Sequence, residues 1–182
     1  MGWFSPVKGS YPSLAQVDKT LPVSGEGVAK IQRGSIVALV EDSTGKYKDG
    51  VFKVASATDK ILYVSLQDYT DPTAGFAGSA FDPKGGVPAI TGIDLGQDGE
   101  YETSVFNTNL EYKVGDKLSV SQGIITKAGD GDTVIGFVTS PKKDRWVNNA
   151  IAVPNQENGP TDPRVAVRTG ASLSVIRFKT AV

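Results

Sequence analysis

The most regular hydrophobic pattern lies between positions 112 and 140, where short apolar runs are separated by turn residues. Leu118 and Val120 alternate with serines, Ile124 follows a single glycine, and a more continuous apolar run ends at Val138. Alternation with a period of two is typical of strands, and the Gly-Asp and Gln-Gly pairs suit tight turns. The pattern predicts a small β-barrel or sandwich and contains no evident catalytic residue.

Apolar runs elsewhere predict further strands. Ile36, Ala38 and Val40 alternate with Val37 and Leu39, which are also apolar, as expected for a strand covered on both faces. We therefore expect an all-β fold with little helix. The other predicted strands span residues 28–33, 51–55, 60–67, 89–95, 100–107 and 172–180.

The first 24 residues are predicted to form an extended arm. Prolines interrupt this segment, and its apolar residues lack the spacing of a long helix or strand, with residues 14–19 the best candidate for one short helical turn. An arm of this kind suits partner binding, and the candidate contact residues are Trp3, Phe4, Tyr11 and Leu14. Residues 25–182 are expected to form a β-rich body, and a division into two lobes, 25–88 and 89–182, stays open.

Two segments rich in glycine and proline, 68–88 and 155–164, are predicted to be long loops. Phe76 and Phe81 in the first loop are candidates for partner contact, because large apolar residues are unusual in a solvated loop. The run KKDRW, which ends at Trp146, is the only cluster that combines basic and aromatic residues. A turn anchored by Trp146 is favoured over a nucleic-acid contact, and Trp146 is a third loop candidate for partner binding.

The 182-residue chain contains neither cysteine nor histidine. This excludes Ser-His-Asp and Cys-His catalysis, thiolate and imidazole metal sites, and disulfides. The formal charge of −1 provides no overall positive field for nucleic acid or an anionic membrane. No apolar run is long enough for a membrane span, and the start lacks the order of a signal peptide. We expect a soluble, non-exported protein with no nucleic-acid or membrane partner.

Carboxylates are the remaining candidates for chemistry, and simpler interpretations are favoured for them. Asp130-Gly131-Asp132 lacks the alternating acidic positions and closing glutamate of a calcium-binding hand, so a turn is favoured over a metal site. Glu100 and Glu102 share one strand face, near Asp94 and Asp98, and a solvated face is favoured over a glycosidase pair. We therefore expect no catalytic residue, no metal and no cofactor.

Several short motifs between positions 90 and 138 occur in a characteristic order. They are Thr91-Gly-Ile, Gly99-Glu-Tyr-Glu-Thr-Ser-Val-Phe, Tyr112-Lys-Val-Gly-Asp-Lys-Leu-Ser-Val, Gly123-Ile-Ile-Thr and Val134-Ile-Gly-Phe-Val. This arrangement resembles the capsid decoration, or cement, proteins of tailed bacteriophages, as does the final predicted strand. The resemblance rests on the pattern of strands and turns over about half of the chain.

The resemblance implies a β-tulip-like structural protein of the virion, assembled in the host cytoplasm and located on the outer capsid surface. Its expected partners are the major capsid protein, whose neighbouring subunits it would cement with its arm, and further copies of itself in a homotrimer. An alternative is a carbohydrate- or receptor-binding β module of a phage fibre, in which Tyr69 and the three loop candidates would line the site. A carboxylate hydrolase is the third possibility.

Overall fold

The structure, a computed structural model, describes residues 4–6, 19–24, 31–66, 69, 80–81, 88–150 and 168–181. These residues contain no helix and form two antiparallel sheets, which confirms the predicted all-β class. The strands are β1 Phe4–Pro6, β2 Lys19–Pro22, β3 Ile36–Val40, β4 Val51–Val54, β5 Leu62–Ser65, β6 Ala80–Phe81, β7 Pro88–Asp94, β8 Glu100–Thr103, β9 Lys117–Ser121, β10 Ile124–Lys127, β11 Gly136–Ala150 and β12 Arg168–Thr180.

The chain divides between the two sheets after β7. The first sheet has the order β1-β8-β12-β11-β9-β10, so it combines the first strand with the last five. The second sheet has the order β2-β7-β5-β3-β4, and β6 also pairs with β7. Because Ala89 pairs with both Pro22 of β2 and Ala80 of β6, these two strands lie on opposite edges of β7.

Among the described strands, neither sheet is closed into a barrel by a continuous ladder, so the architecture is sandwich-like. A single parallel bridge joins Phe106, just after β8, to Ile125 of β10, with a 2.8 Å hydrogen bond from the Asn107 amide to the Ile125 carbonyl. A second parallel bridge joins Val23, just after β2, to Phe52 of β4. Each sheet therefore curls until its distant strands nearly meet.

Two hydrophobic clusters lie within the described part of the chain, and β3 contributes to both. Ile36 and Ala38 belong to a cluster that also contains Phe178 and Leu118 of the other sheet. Val37, on the opposite face of β3, belongs to a second cluster within the β2–β7 sheet. The prediction that this strand is covered on both faces is therefore confirmed, and one core is common to the two sheets.

Four tight turns share a reciprocal hydrogen-bond pattern. In the turn that ends at Asp132, the Gly129 amide donates to the Asp132 carboxylate (2.7 Å), and the Asp132 amide donates to the Gly129 carbonyl (3.3 Å). Gly131 has a φ of 84°, which glycine adopts without strain. The same pattern closes the turns 32–35, 56–59 and 113–116. The turn interpretation of Asp130-Gly131-Asp132 is confirmed. The two strands that this turn connects, β10 and β11, do not pair with each other, because β9 lies between them in the sheet.

Several sequence predictions require correction. Two stretches of the predicted arm are strands of the sheets, Phe4–Pro6 on β8 and Lys19–Pro22 on β7. Residues 31–33 of the predicted strand 28–33 lie outside any strand, because the 32–35 turn begins there. The KKDRW run is part of β11 rather than a turn, because its backbone pairs with β12. The predicted loop 68–88 contains the short strand β6.

Candidate interaction surface

The most extended feature of the structure is a two-stranded ribbon formed by residues 143–150 of β11 and 168–175 of β12. Its register pairs run from Lys143 with Val175 to Ala150 with Arg168. β9 pairs with β11 only at Gly136 and Phe137, and β8 pairs with β12 only beyond Val175. Within the described residues no third strand joins the ribbon, which has eight pairs and a length of roughly 25 Å at about 3.3 Å per residue.

Two bulges separate the ribbon from the sheet. Between Val138 and Lys143 the register shifts twice, so five steps along β11 correspond to three steps along β12. Pro141 lies within the second shift and has no amide hydrogen to donate to a ladder. Because bulges bend a strand and increase its twist, these shifts set the direction in which the ribbon leaves the sheet.

An ion-pair cluster centred on Glu102 lies at the base of the ribbon. Glu102 is 0% exposed, and its Oε2 lies 2.7 Å from Nε of its cross-strand partner Arg177 and 3.6 Å from Nζ of Lys143. The cluster therefore connects β8, β12 and β11 where the sheet ends. Lys142 adds a further contact, because its Nζ donates to the Thr108 carbonyl at 2.9 Å.

The solvated-face interpretation of the carboxylates is wrong for Glu102, which is buried among basic side chains. Glu100 instead accepts a 2.6 Å hydrogen bond from the Thr139 hydroxyl, and Asp98 pairs with a lysine on β12. Asp94 accepts a hydrogen bond from a neighbouring backbone amide. In the described part of the chain, no group of three or more acidic side chains could hold a metal ion.

The ribbon and its base are basic, whereas the rest of the chain is acidic. Residues 142–150 and 168–177 contain five lysine or arginine residues and one aspartate, a charge of +4. The whole chain has a charge of −1, so the remaining residues carry −5. Asp144 is exposed on the ribbon and accepts a 2.9 Å hydrogen bond from Ser174 across the two strands. Two of the five cations, Lys143 and Arg177, pair with Glu102, so the ribbon, its base and Glu102 together have a charge of +3.

The titratable groups with shifted pKa values away from the ribbon have structural explanations. Burial, the largest influence on Asp59, raises its pKa, but the ion pair with Lys53 (2.9 Å) and hydrogen bonds from Ser56 together lower it below its usual value. Burial raises the pKa of Tyr112 to about 12, and its hydroxyl donates to the Asn107 carbonyl. These groups stabilise turns and packing, and they form no catalytic arrangement.

Two clefts at the surface are lined by few charged groups. The larger, about 340 Å³, lies where Phe106 meets β10 and is bordered by Asn107, Thr108, Gln122 and the 41%-exposed Ile124. The smaller cleft, about 240 Å³, lies between Lys60 and Ile61, just before β5, and residues 133–135, just before β11. The larger cleft has no charged residue in its lining, and the smaller one is lined by Lys60 and Asp94.

The candidate residues from the sequence do not converge on one described surface. Trp3, Tyr11, Leu14 and Phe76 lie outside the described residues. Phe4 is 3% exposed and stacks on Tyr101 with ring centroids 5.0 Å apart, so its ring packs within the chain rather than facing a partner. The backbones of Phe81 and Trp146 lie in β6 and β11, and Tyr69 is partly buried against the second cluster.

Sequence reasoning missed the ribbon and the Glu102 cluster. The charged residues of the KKDRW run and Pro141 interrupt the hydrophobic pattern that would have indicated a long strand. Glu102 and Arg177 are 75 residues apart, so only the strand pairing brings them together. The available signal was confined to β12, where the apolar residues between Leu173 and Phe178 are interspersed with Ser174 and Arg177.

Comparison of the sequence with family models and curated proteins, and of the fold with solved structures, found no match. The described residues contain no helix that is long and apolar enough to cross a membrane. The proposals below therefore depend on the geometry of this chain and on its sequence resemblance.

Proposed function

We propose that this protein is a structural component of a phage virion, which binds the outer surface of the capsid and cements neighbouring major capsid subunits. The sequence resemblance to decoration proteins supports this function. The all-β body is compatible with it, and the proposal includes a β-tulip-like form for that body and a partner-binding role for Trp3, Tyr11 and Leu14 of the arm.

The β11–β12 ribbon is the observation that carries the proposal. A two-stranded ribbon is marginally stable alone in water and gains stability by packing on a surface. Here the Glu102 cluster and the two bulges fix its base to the body. An extended element with a fixed origin can reach a neighbouring protein, as a cement subunit must.

The remaining features of the proposal follow from attachment to a symmetric shell. A homotrimer at a symmetry axis can engage several capsid subunits at once, so that individually weak contacts combine into stable attachment. The protein acts by binding and performs no catalysis. The protein is located on the outer surface of the virion, which is assembled in the host cytoplasm.

Two measurements test this function. Quantitative mass spectrometry of purified virions should find the protein at an abundance comparable to that of the capsid protein. Purified protein should also sediment with heads that lack it. Fibre-like abundance, or glycan binding without head binding, would instead support the fibre module.

The contribution of the arm is best tested by substitution, because deletion of residues 1–24 would remove β1 and β2. Replacing Trp3, Tyr11 and Leu14 by serine should weaken head binding. The matched control is Ile61→Ser, which alters an apolar side chain that is 55% exposed outside the arm. Equal binding by both variants would remove the arm from the proposal.

A further inference from the structure

The larger of the two clefts has walls that the backbone fixes in place. One wall is the β9–β10 turn, residues 121–124, and the other is residues 106–108, after β8. The Gly123 amide donates to the Ala55 carbonyl (2.9 Å), and the Gly123 carbonyl accepts from the Ile36 amide (2.8 Å), so the turn is attached to the second sheet. The volume of about 340 Å³ lies at the lower end of the roughly 300–1,000 Å³ of ligand pockets.

The polar groups in this cleft are neutral and have few partners in the chain. The lining combines amide, hydroxyl and apolar side chains, from Phe106, Asn107, Thr108, Ser121, Gln122 and Ile124. Oδ1 of Asn107 accepts a 3.1 Å hydrogen bond from the Asn109 amide, which leaves Nδ2 as a donor. Within the described part of the chain, the side chains of Thr108, Ser121 and Gln122 have no hydrogen-bond partner. These groups are therefore available to a ligand.

Gln122 occupies a backbone position that a glutamine does not favour. Its φ is 49°, and no other described residue except glycine has a positive φ. With Gly123 it forms a two-residue turn between the register partners Ser121 and Ile124, as in type I′ turns, where asparagine, aspartate or glycine is usual. Such strained positions concentrate at functional sites. The longer side chain costs stability and places an amide in the lining of the cleft.

The lining also restricts the class of ligand. It contains no charged side chain, and Nζ of the neighbouring Lys142 already donates to the Thr108 carbonyl (2.9 Å). A phosphate or carboxylate would therefore lose hydration without gaining a cation. An added peptide strand is also disfavoured, because the Ile125 amide and carbonyl at this edge of β10 already bond to Val105 and Asn107.

We infer that this cleft binds a neutral saccharide. Sugar hydroxyls both donate and accept hydrogen bonds, so they match the uncharged amides and hydroxyls of the lining. The C–H face of a sugar ring can pack on Ile124, which is 41% exposed. Because the polar groups are few, we expect a dissociation constant in the roughly millimolar range. None of these residues is a loop candidate of the fibre module, and the inference does not depend on the proposed capsid function.

The test is a titration of the full chain with glucose, galactose, mannose and N-acetylglucosamine up to tens of millimolar, followed by amide chemical shifts in nuclear magnetic resonance spectra. At least one sugar should shift the amides of residues 106–108 and 121–124 in a saturable way. Glucose 6-phosphate should bind no more tightly than glucose, because the lining provides no cation. Unchanged shifts at these amides with all four sugars, or tighter binding of the phosphorylated sugar, would overturn the inference.

Two substitutions in the lining and one control test the assigned groups. Thr108→Val removes a hydroxyl but keeps the shape of the side chain, so it should raise the dissociation constant about three- to tenfold. Thr126→Val makes the same change on β10 outside the lining and should leave binding unchanged. Gln122→Asn shortens the amide and suits the turn, so it should weaken binding while raising Tm by about 1–3 °C. Wild-type affinity in both lining variants would overturn the inference.

These results are separable from the test of capsid function. Saccharide binding by a protein that also sediments with heads would give a capsid component a second ligand. Saccharide binding without head binding would contradict the capsid role and leave this site intact. Head binding without saccharide binding would do the opposite.

Discussion

Replacing Glu102 by glutamine tests whether its carboxylate stabilises the junction between sheet and ribbon. Glutamine keeps the shape of the side chain and can still accept a hydrogen bond from Arg177, but it removes the charge. Hydrogen bonds to charged groups contribute about 1.5–3 kcal/mol, against about 0.5–1.5 kcal/mol for neutral ones. Arg177 stays charged and only the acceptor becomes neutral, so the loss of the charge alone predicts a destabilisation of about 1 kcal/mol.

The upper bound follows from the exposure of the two basic partners. Removing one member of a fully buried ion pair costs about 3–5 kcal/mol, because the remaining charge is left without compensation. Here the side chains of Arg177 and Lys143 are 32% and 41% exposed, so water can solvate them and the cost is smaller. We expect Glu102→Gln to lower the free energy of unfolding by about 2 kcal/mol and Tm by roughly 4–8 °C for a chain of this size.

Urea unfolding followed by far-ultraviolet circular dichroism measures this change, and Glu100→Gln is the matched control. Glu100 lies two residues away on the same strand face and is partly exposed, so the same substitution should cost less than about 1 kcal/mol. A double-mutant cycle with Arg177→Gln should show coupling between the two positions. Equal stability of the two glutamine variants, or additive effects in the cycle, would refute the assigned role of Glu102.

Three further predictions concern turns and burial. The pKa of Asp59 is lower in the folded protein than in the unfolded chain, so ionised Asp59 stabilises the fold fully above pH about 4. This stabilisation is lost as the pH falls through the lower, folded-state pKa, so Asp59→Asn should make Tm depend less on pH in the acid range. Tyr112 should ionise near pH 12 in the folded protein, so stability should fall as the pH rises above about 10, and Tyr112→Phe should remove the latest phase of an ultraviolet titration. Gly123→Ala should destabilise the fold more than Gly131→Ala, although both glycines have a positive φ, 74° and 84°. A Cβ at position 123 would lie 3.2 Å from the Ile36 carbonyl oxygen, whereas a Cβ at position 131 would have no atom within 4 Å. Equal melting temperatures of the two variants would show that crowding contributes nothing.

The elements that could be predicted from sequence are those whose pattern is local. The alternation of Leu118 and Val120 with serines identified β9. In β3, consecutive residues are apolar, so both faces of the strand were expected to be covered. The turns at Gly115 and Gly131 were likewise visible, because positive φ and a nearby aspartate leave a short sequence signal.

The elements that could not be predicted depend on distant partners. Phe4–Pro6 has no hydrophobic periodicity, and it forms a strand only because it pairs with β8, which is about a hundred residues later in the sequence. Three consecutive residues of β11, Lys142, Lys143 and Asp144, are charged and exposed, and a strand with such a stretch is hard to distinguish from a loop. The Glu102 cluster needs three strands in register before its members meet. Tertiary context thus decided both the strand assignments and the location of the candidate surface.

The strand order β1-β8-β12 has a consequence for synthesis of the chain. β8 is flanked by β1, the earliest of the described strands in the chain, and by β12, the latest of them, and the core common to both sheets contains Ile176 and Phe178 of β12. The second sheet, which uses strands only up to β7, can pair its strands early, but its face towards β8–β12 stays exposed to water until β12 has been synthesised. Because pairing between such distant segments is slow, we expect the core to be completed only after β12 has left the ribosome.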